Sequence, residues 1–115
     1  MFIIDDNRIY LTRGDTADIA VSLKNLDDSD YGMQEGDTLW FRLKRYATKD
    51  NSEILVEKTA DVYDEEVIIS LVPEDTLGLA FGEYRYEVEL VTAEDKHYTV
   101  IADESFEVGK ELENH

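Results

Sequence analysis

Residues 83–90 read Glu-Tyr-Arg-Tyr-Glu-Val-Glu-Leu, "EYRYEVEL". Tyr84, Tyr86, Val88 and Leu90 share one parity, and Glu83, Arg85, Glu87 and Glu89 share the other. On a helix this pattern would scatter apolar and charged groups around the axis. On a strand it puts every apolar side chain on one face and every charge on the opposite face. The stretch therefore predicts a β-strand with one dry and one wet face, which is the signature of an antiparallel sheet covered on one side.

The same period of two runs through the chain. Ala17, Ile19, Val21 and Leu23 alternate with Asp18, Ala20, Ser22 and Lys24, and Leu39, Phe41 and Leu43 alternate with Trp40, Arg42 and Lys44. Val67, Ile69 and Leu71 share a face. The stretches 53–59 and 97–108 are less regular but rich in β-forming residues. With a short segment around Ile9–Leu11, the reading gives about seven strands at regular spacing, the pattern of a sandwich. No stretch has the 3.6-residue period of a long amphipathic helix.

Breakers separate these strands. Residues 25–37 form a long polar loop, 47–52 and 61–65 are turns, and "AEDK" at 93–96 suits a tight hairpin. The only proline opens "PEDTLGLAFG" at 73–82, where one helical turn near 73–80 would carry the chain from one sheet to the other. Tyr84 stands at the start of the penultimate strand, two residues before the inward Tyr86. An immunoglobulin tyrosine corner has this arrangement, its hydroxyl bonding backbone a few residues upstream. The expected fold is thus an all-β, immunoglobulin-like antiparallel β-sandwich. A single domain over 1–108 would be followed by a flexible tail at 109–115.

Two short repeats mark strand starts. "RGDT" at 13–16 and "EGDT" at 35–38 precede strands in the same phase, since Ile19 and Val21 follow the first Thr as Phe41 and Leu43 follow the second. Gly14 and Gly36 supply the permissive turn, and Asp15 and Asp37 can cap local backbone donors. Arg13-Gly14-Asp15 spells an integrin-binding tripeptide, but arginine is the element that the second copy replaces. The letters read as strand punctuation.

The charge narrows the partners. Eleven Lys and Arg against 28 Asp and Glu give a net charge of −17 in 115 residues. Such a surface repels phosphate backbones and anionic lipid, so neither nucleic acid nor a membrane is an expected partner. The opening "MFIIDDNR" is too short in apolar residues for a signal peptide or a span, and cysteine is absent. Both fit synthesis in the cytoplasm.

Catalytic chemistry finds little purchase. The histidines are His97, beside a hairpin turn, and His115 at the chain end, with no cysteine and no serine motif to orient either. No cofactor is implied, and the glycines do not form a phosphate cradle. Asp27, Asp28 and Asp30 concentrate oxygen ligands in one loop. Their spacing misses the calcium-loop pattern, with Tyr31 before Gly32 and Thr38 at the twelfth place, so calcium is disfavoured.

One surface stands out. Arg42, Lys44, Arg45 and Lys49 fall within eight positions of one another beside Trp40 and Tyr46. Trp40, Arg42, Lys44 and Tyr46 have the composition of an interface core, while Glu53, Glu57, Glu87 and Glu89 are available to balance them across neighbouring strands. The long 25–37 loop is a second candidate contact.

The succession "LTRGDT", "EGDTLWFRLKR", "LVPEDTLGLAFGEYRYEVELVT", "HYTV" and "SFEVG" resembles small immunoglobulin-like proteins of phage and prophage tails and baseplates. It is similar to the N-terminal domain of baseplate upper proteins, over Ile9 to Val108. The resemblance implies a non-enzymatic structural or adaptor role, with self-association or other tail proteins as partners and assembly into a virion. The alternative is a module that binds carbohydrate or a cell-surface ligand, with Trp40, Tyr46 and Tyr98 as stacking platforms.

Overall fold

The computed structural model describes residues 2–25, 27, 29, 31–32, 34–45, 54–60 and 66–110. Among the described residues, eight strands and one short helix follow in the order β1 (Phe2–Asp5), β2 (Arg8–Thr12), β3 (Ala17–Ser22), β4 (Thr38–Lys44), β5 (Ile54–Ala60), β6 (Glu66–Leu71), α1 (Pro73–Leu77), β7 (Gly82–Val91) and β8 (His97–Gly109). They make a six-stranded sheet, β1-β2-β8-β7-β4-β5, and a two-stranded sheet, β3-β6. The β8-β7-β4 triad with β3-β6 opposite reproduces the G-F-C and B-E strands of an immunoglobulin sandwich. The all-β, sandwich-like expectation holds.

Alternation places the core. Tyr84, Tyr86, Val88 and Leu90 of β7 are buried, as are Leu39, Phe41 and Leu43 of β4 and Ala17, Ile19 and Val21 of β3. Phe41 stacks on Tyr86 with ring centroids 5.4 Å apart, and Phe106 meets both edge-on at 6.2 Å. Offset and edge-on contacts of this kind add about 0.5–1.5 kcal/mol beyond the area that the rings remove from water. Tyr86 stands where antibody domains keep a cysteine, and its hydroxyl donates to the Asn7 carbonyl. Burial, and then the Glu104 carboxylate, push that hydroxyl's pKa up to about 12.

The tyrosine corner is present. Tyr84 is buried, and its hydroxyl donates to the Ala80 carbonyl at 2.7 Å. Tyr84→Phe is expected to cost about 1 kcal/mol, the net worth of one hydrogen bond. Urea unfolding measures this directly, and an unchanged midpoint would remove the corner from the stabilising contacts.

The helix and hairpin fall where the breakers put them. Pro73 opens α1, the Val72 amide donates to Asp75 Oδ2 at 2.8 Å, and Lys58 of β5 pairs with Asp75 at 3.0 Å. Between β7 and β8 the Asp95 amide donates to the Thr92 carbonyl at 2.9 Å, with Asp95 at φ 64°.

Three features differ from the sequence reading. β1 is an additional strand, joined to β2 by a two-residue turn in which Asp6 and Asn7 both take positive φ, as the preferred hairpin turn demands. The pairing of β2 with β8 is parallel while the others are antiparallel. Almost the whole chain lies between these two strands, so no tight turn dictates their direction. Strand β8 also continues to Gly109, whose carbonyl accepts the Arg13 amide at 3.0 Å, one residue past the expected domain boundary. The predicted turns at 47–52 and 61–65, and residues 111–115 of the predicted tail, lie outside the described residues.

Candidate docking face and loop end

Strand β4 lies between β5 and β7, so its outward side chains have neighbours on both sides. Arg42 is in register with Glu57 and Glu87, and Trp40 with Thr59 and Glu89. The guanidinium of Arg42 reaches Glu57 at 2.9 Å, Glu89 at 3.2 Å and Glu87 at 3.4 Å, and stands 5.1 Å from the centre of the Trp40 ring. Lys44 also pairs with Glu87. Burial alone would lower the pKa of Arg42, but hydrogen bonds to Glu57 and Glu89 outweigh it and the net shift is upward. Trp40, Arg42 and Lys44 therefore share one face as their parity predicts, and carboxylates on the adjoining strands balance the two cations. Tyr46 and Glu53 lie outside the described residues.

The converging carboxylates make Arg42 more than an isolated surface charge. Arg42→Met is expected to cost about 1–2 kcal/mol, because Glu57, Glu87 and Glu89 then lose the guanidinium between them and Lys44 remains to offset Glu87 alone. The loss should shrink in high salt, where repulsion between partly exposed carboxylates is screened. Lys44→Met, which removes one pair, should stay within about 0.5 kcal/mol. Chemical denaturation at low and high ionic strength separates these outcomes.

The repeated Gly-Asp-Thr turns also form as read. Gly14 has φ +84° and Gly36 φ +92°, and each precedes an aspartate whose amide closes the turn: Asp15 to the Thr12 carbonyl, Asp37 to the Gln34 carbonyl, both at 3.0 Å. Positive φ at this third position is what a type II turn requires. The surroundings then diverge. Gly14 donates to Thr76 Oγ1 at 2.8 Å, tying its turn to α1, and Arg13 stacks over Phe81 at 4.3 Å from the ring centre. The arginine of the tripeptide is therefore packed on an aromatic ring of the same chain.

Asp37 does more than cap its turn. It is 4% exposed, and Oδ2 accepts the Tyr31 hydroxyl at 2.6 Å and the Gln34 amide at 2.9 Å. Burial opposes its ionisation, but hydrogen bonds from Tyr31 and from the Gln34 and Ala93 amides prevail and lower its pKa. The same bond, together with burial, pushes the Tyr31 hydroxyl up to about 12. Through these contacts Asp37 joins the loop before β4 to the β7–β8 hairpin. No sequence period announces the Tyr31–Asp37 pair, because it depends on how the loop folds back.

Beside this junction is a cavity of about 650 Å³. Its lining includes Tyr31, Tyr98 and the buried Leu23 and Leu90. Tyr98 is 52% exposed, and its hydroxyl makes no hydrogen bond to a described residue. His97 sits nearby at the start of β8, with its ring nitrogens 3.1 Å from Asp95 and 3.4 Å from Glu89; the Asp95 hydrogen bond, then Glu89, raise its pKa. In the acidic loop, Asp27 Oδ1 accepts the Ser29 amide at 3.0 Å, and Asp28 and Asp30 lie outside the described residues. Among the described residues no three His, Asp or Glu side chains gather as a metal ion would need, and no helix is long and apolar enough to cross a membrane.

No family model, curated protein or solved structure matches the chain.

Proposed function

We propose that this chain is a non-enzymatic structural or adaptor component of a phage or prophage tail or baseplate, acting by protein–protein docking through the outer face of β5-β4-β7. The observation that carries the docking reading is the Trp40–Arg42 pair. Carboxylates on both neighbouring strands fix the guanidinium beside the indole. Tryptophan and arginine are over-represented among the residues that dominate binding energy, and a side chain ordered in advance loses less entropy on docking. A partner can cover this face without bringing its own counter-charge for Arg42, because the counter-charges are already in place. The assignment to a tail or baseplate is supported by the resemblance of residues 9–108.

Purified tail particles from an induced host provide the test. The chain is expected in them at fixed stoichiometry, and Trp40→Ala is expected to prevent incorporation while leaving the isolated protein folded. Absence of the chain from purified particles overturns the tail assignment. Incorporation unaffected by Trp40→Ala moves the docking surface elsewhere.

A further inference from the structure

We propose that the cavity between the loop following β3 and the β7–β8 hairpin is a binding site for a neutral saccharide, stacked on Tyr98 and walled by Tyr31. The site goes beyond the docking reading, because it lies at the end of the sandwich and uses none of Trp40, Arg42 or Lys44.

The cavity is bounded by the segment that follows β3 and by the base of the hairpin joining β7 to β8. In an immunoglobulin sandwich these are the B–C and F–G loops, which gather at one end and carry recognition in variable domains. About 650 Å³ lies within the range of small-ligand sites and has room for more than one sugar ring.

The cavity is also pre-organised. Tyr31 is held by a hydrogen bond to Asp37, a carboxylate that is itself almost wholly buried and is also bonded to the hairpin amide of Ala93. Ring position and loop position are therefore set by one buried group. Tyr98 has the opposite character: a half-exposed ring with a hydroxyl that no described residue engages. An aromatic side chain presented this way offers a flat apolar face and a polar tip.

The lining chemistry selects the ligand class. Leu23 and Leu90 give the lining apolar side chains and Thr92 a hydroxyl, while the side-chain amide of Asn25 already donates to Ser29 Oγ at 3.1 Å. Thr92 Oγ1 already accepts the Lys96 amide at 3.1 Å, which leaves its O–H as a donor. A purely apolar ligand would leave the Thr92 O–H facing it without an acceptor. An anion would meet a molecule of net charge −17, and among the described lining residues Lys24 alone is charged. A pyranose fits both surfaces: its C–H face lies against tyrosine, and its hydroxyl edge meets neutral donors and acceptors.

The test is titration of the ¹⁵N-labelled chain with chitotriose, cellotriose, maltotriose and a neutral polar tripeptide, read by amide chemical shifts. At least one trisaccharide is expected to bind with Kd of about 1 mM or tighter, with shifts confined to residues 22–25 and 90–100. Tyr98→Ala should weaken it by about tenfold or more without moving the melting temperature, since the ring is half exposed. Trp40→Ala should leave the affinity unchanged, so failure here is distinguishable from failure of the docking face. No shifts with any trisaccharide, or shifts that survive Tyr98→Ala, overturn the site. Equal or stronger binding of the tripeptide overturns the ligand class.

Discussion

Asp37→Ala is expected to lower stability by about 2–3 kcal/mol at neutral pH, because it strips a buried acceptor from several donors at once. Oδ2 accepts the Tyr31 hydroxyl and the Gln34 amide, and the Ala93 amide also bonds to this carboxylate. Removing it leaves these donors to find water in a site only 4% open to solvent. The pH dependence follows from the lowered pKa. A carboxylate whose folded value lies below its unfolded value of about 3.9 stabilises the native state above that value, and loses this contribution as pH falls through the folded one. The gap between parent and variant should therefore be full from about pH 5 to 7 and narrow only below about pH 4. Urea unfolding at a series of pH values tests this. A gap that stays constant down to pH 3 would show that the charge of Asp37 contributes nothing.

The second large effect distinguishes the two Gly-Asp-Thr turns. Gly36→Ala should cost about 3 kcal/mol, combining positive φ with overpacking. A Cβ at position 36 would stand 2.5 Å from the Cβ of Ala93, an atom fixed to the backbone of the opposing hairpin. Gly14→Ala has nearly the same φ, but its Cβ would meet the end of the Leu77 side chain at 3.0 Å. That leucine is exposed and can swing aside, so the cost should stay near 1–2 kcal/mol, about that of the backbone alone. Ala93→Gly should recover about 1 kcal/mol of the Gly36→Ala loss and none of the Gly14→Ala loss, as a double-mutant cycle would show. Equal costs at the two glycines would mean that the hairpin yields.

What the sequence made legible is what a local period or a local turn encodes. Parity places Trp40, Arg42 and Lys44 on one face and names Glu57, Glu87 and Glu89 as their neighbours, and the contacts agree. Tyr84 and Pro73 carry fixed local meanings, and both hold. Strand β1 was hidden because its turn contains no glycine: Asp6 and Asn7 supply the left-handed pair, and the short run before them reads as an isolated apolar patch. The parallel pairing of β2 with β8 leaves no local trace, since it joins segments nearly a whole chain apart. The cavity was only half visible. Tyr98 is legible as an exposed aromatic, but its partnership with Tyr31 across the gap depends on a buried carboxylate that sequence shows only as a turn residue.

The β2–β8 pairing also imposes an order on synthesis. Ile9 through Thr12 take their parallel partners from Phe106 through Gly109. On the ribosome, β1 and β2 can close their hairpin early, but the other edge of β2 has no partner until residue 109 has left the exit tunnel. During that interval Ile9 and Leu11, buried in the finished fold, border an open row of backbone donors and acceptors. Formation of the sandwich is thus tied to the last strand, and contacts of such long sequence separation form slowly. A nascent chain stalled before residue 106 should expose its N-terminal hairpin to protease and to chaperones, whereas a chain released past residue 109 should not.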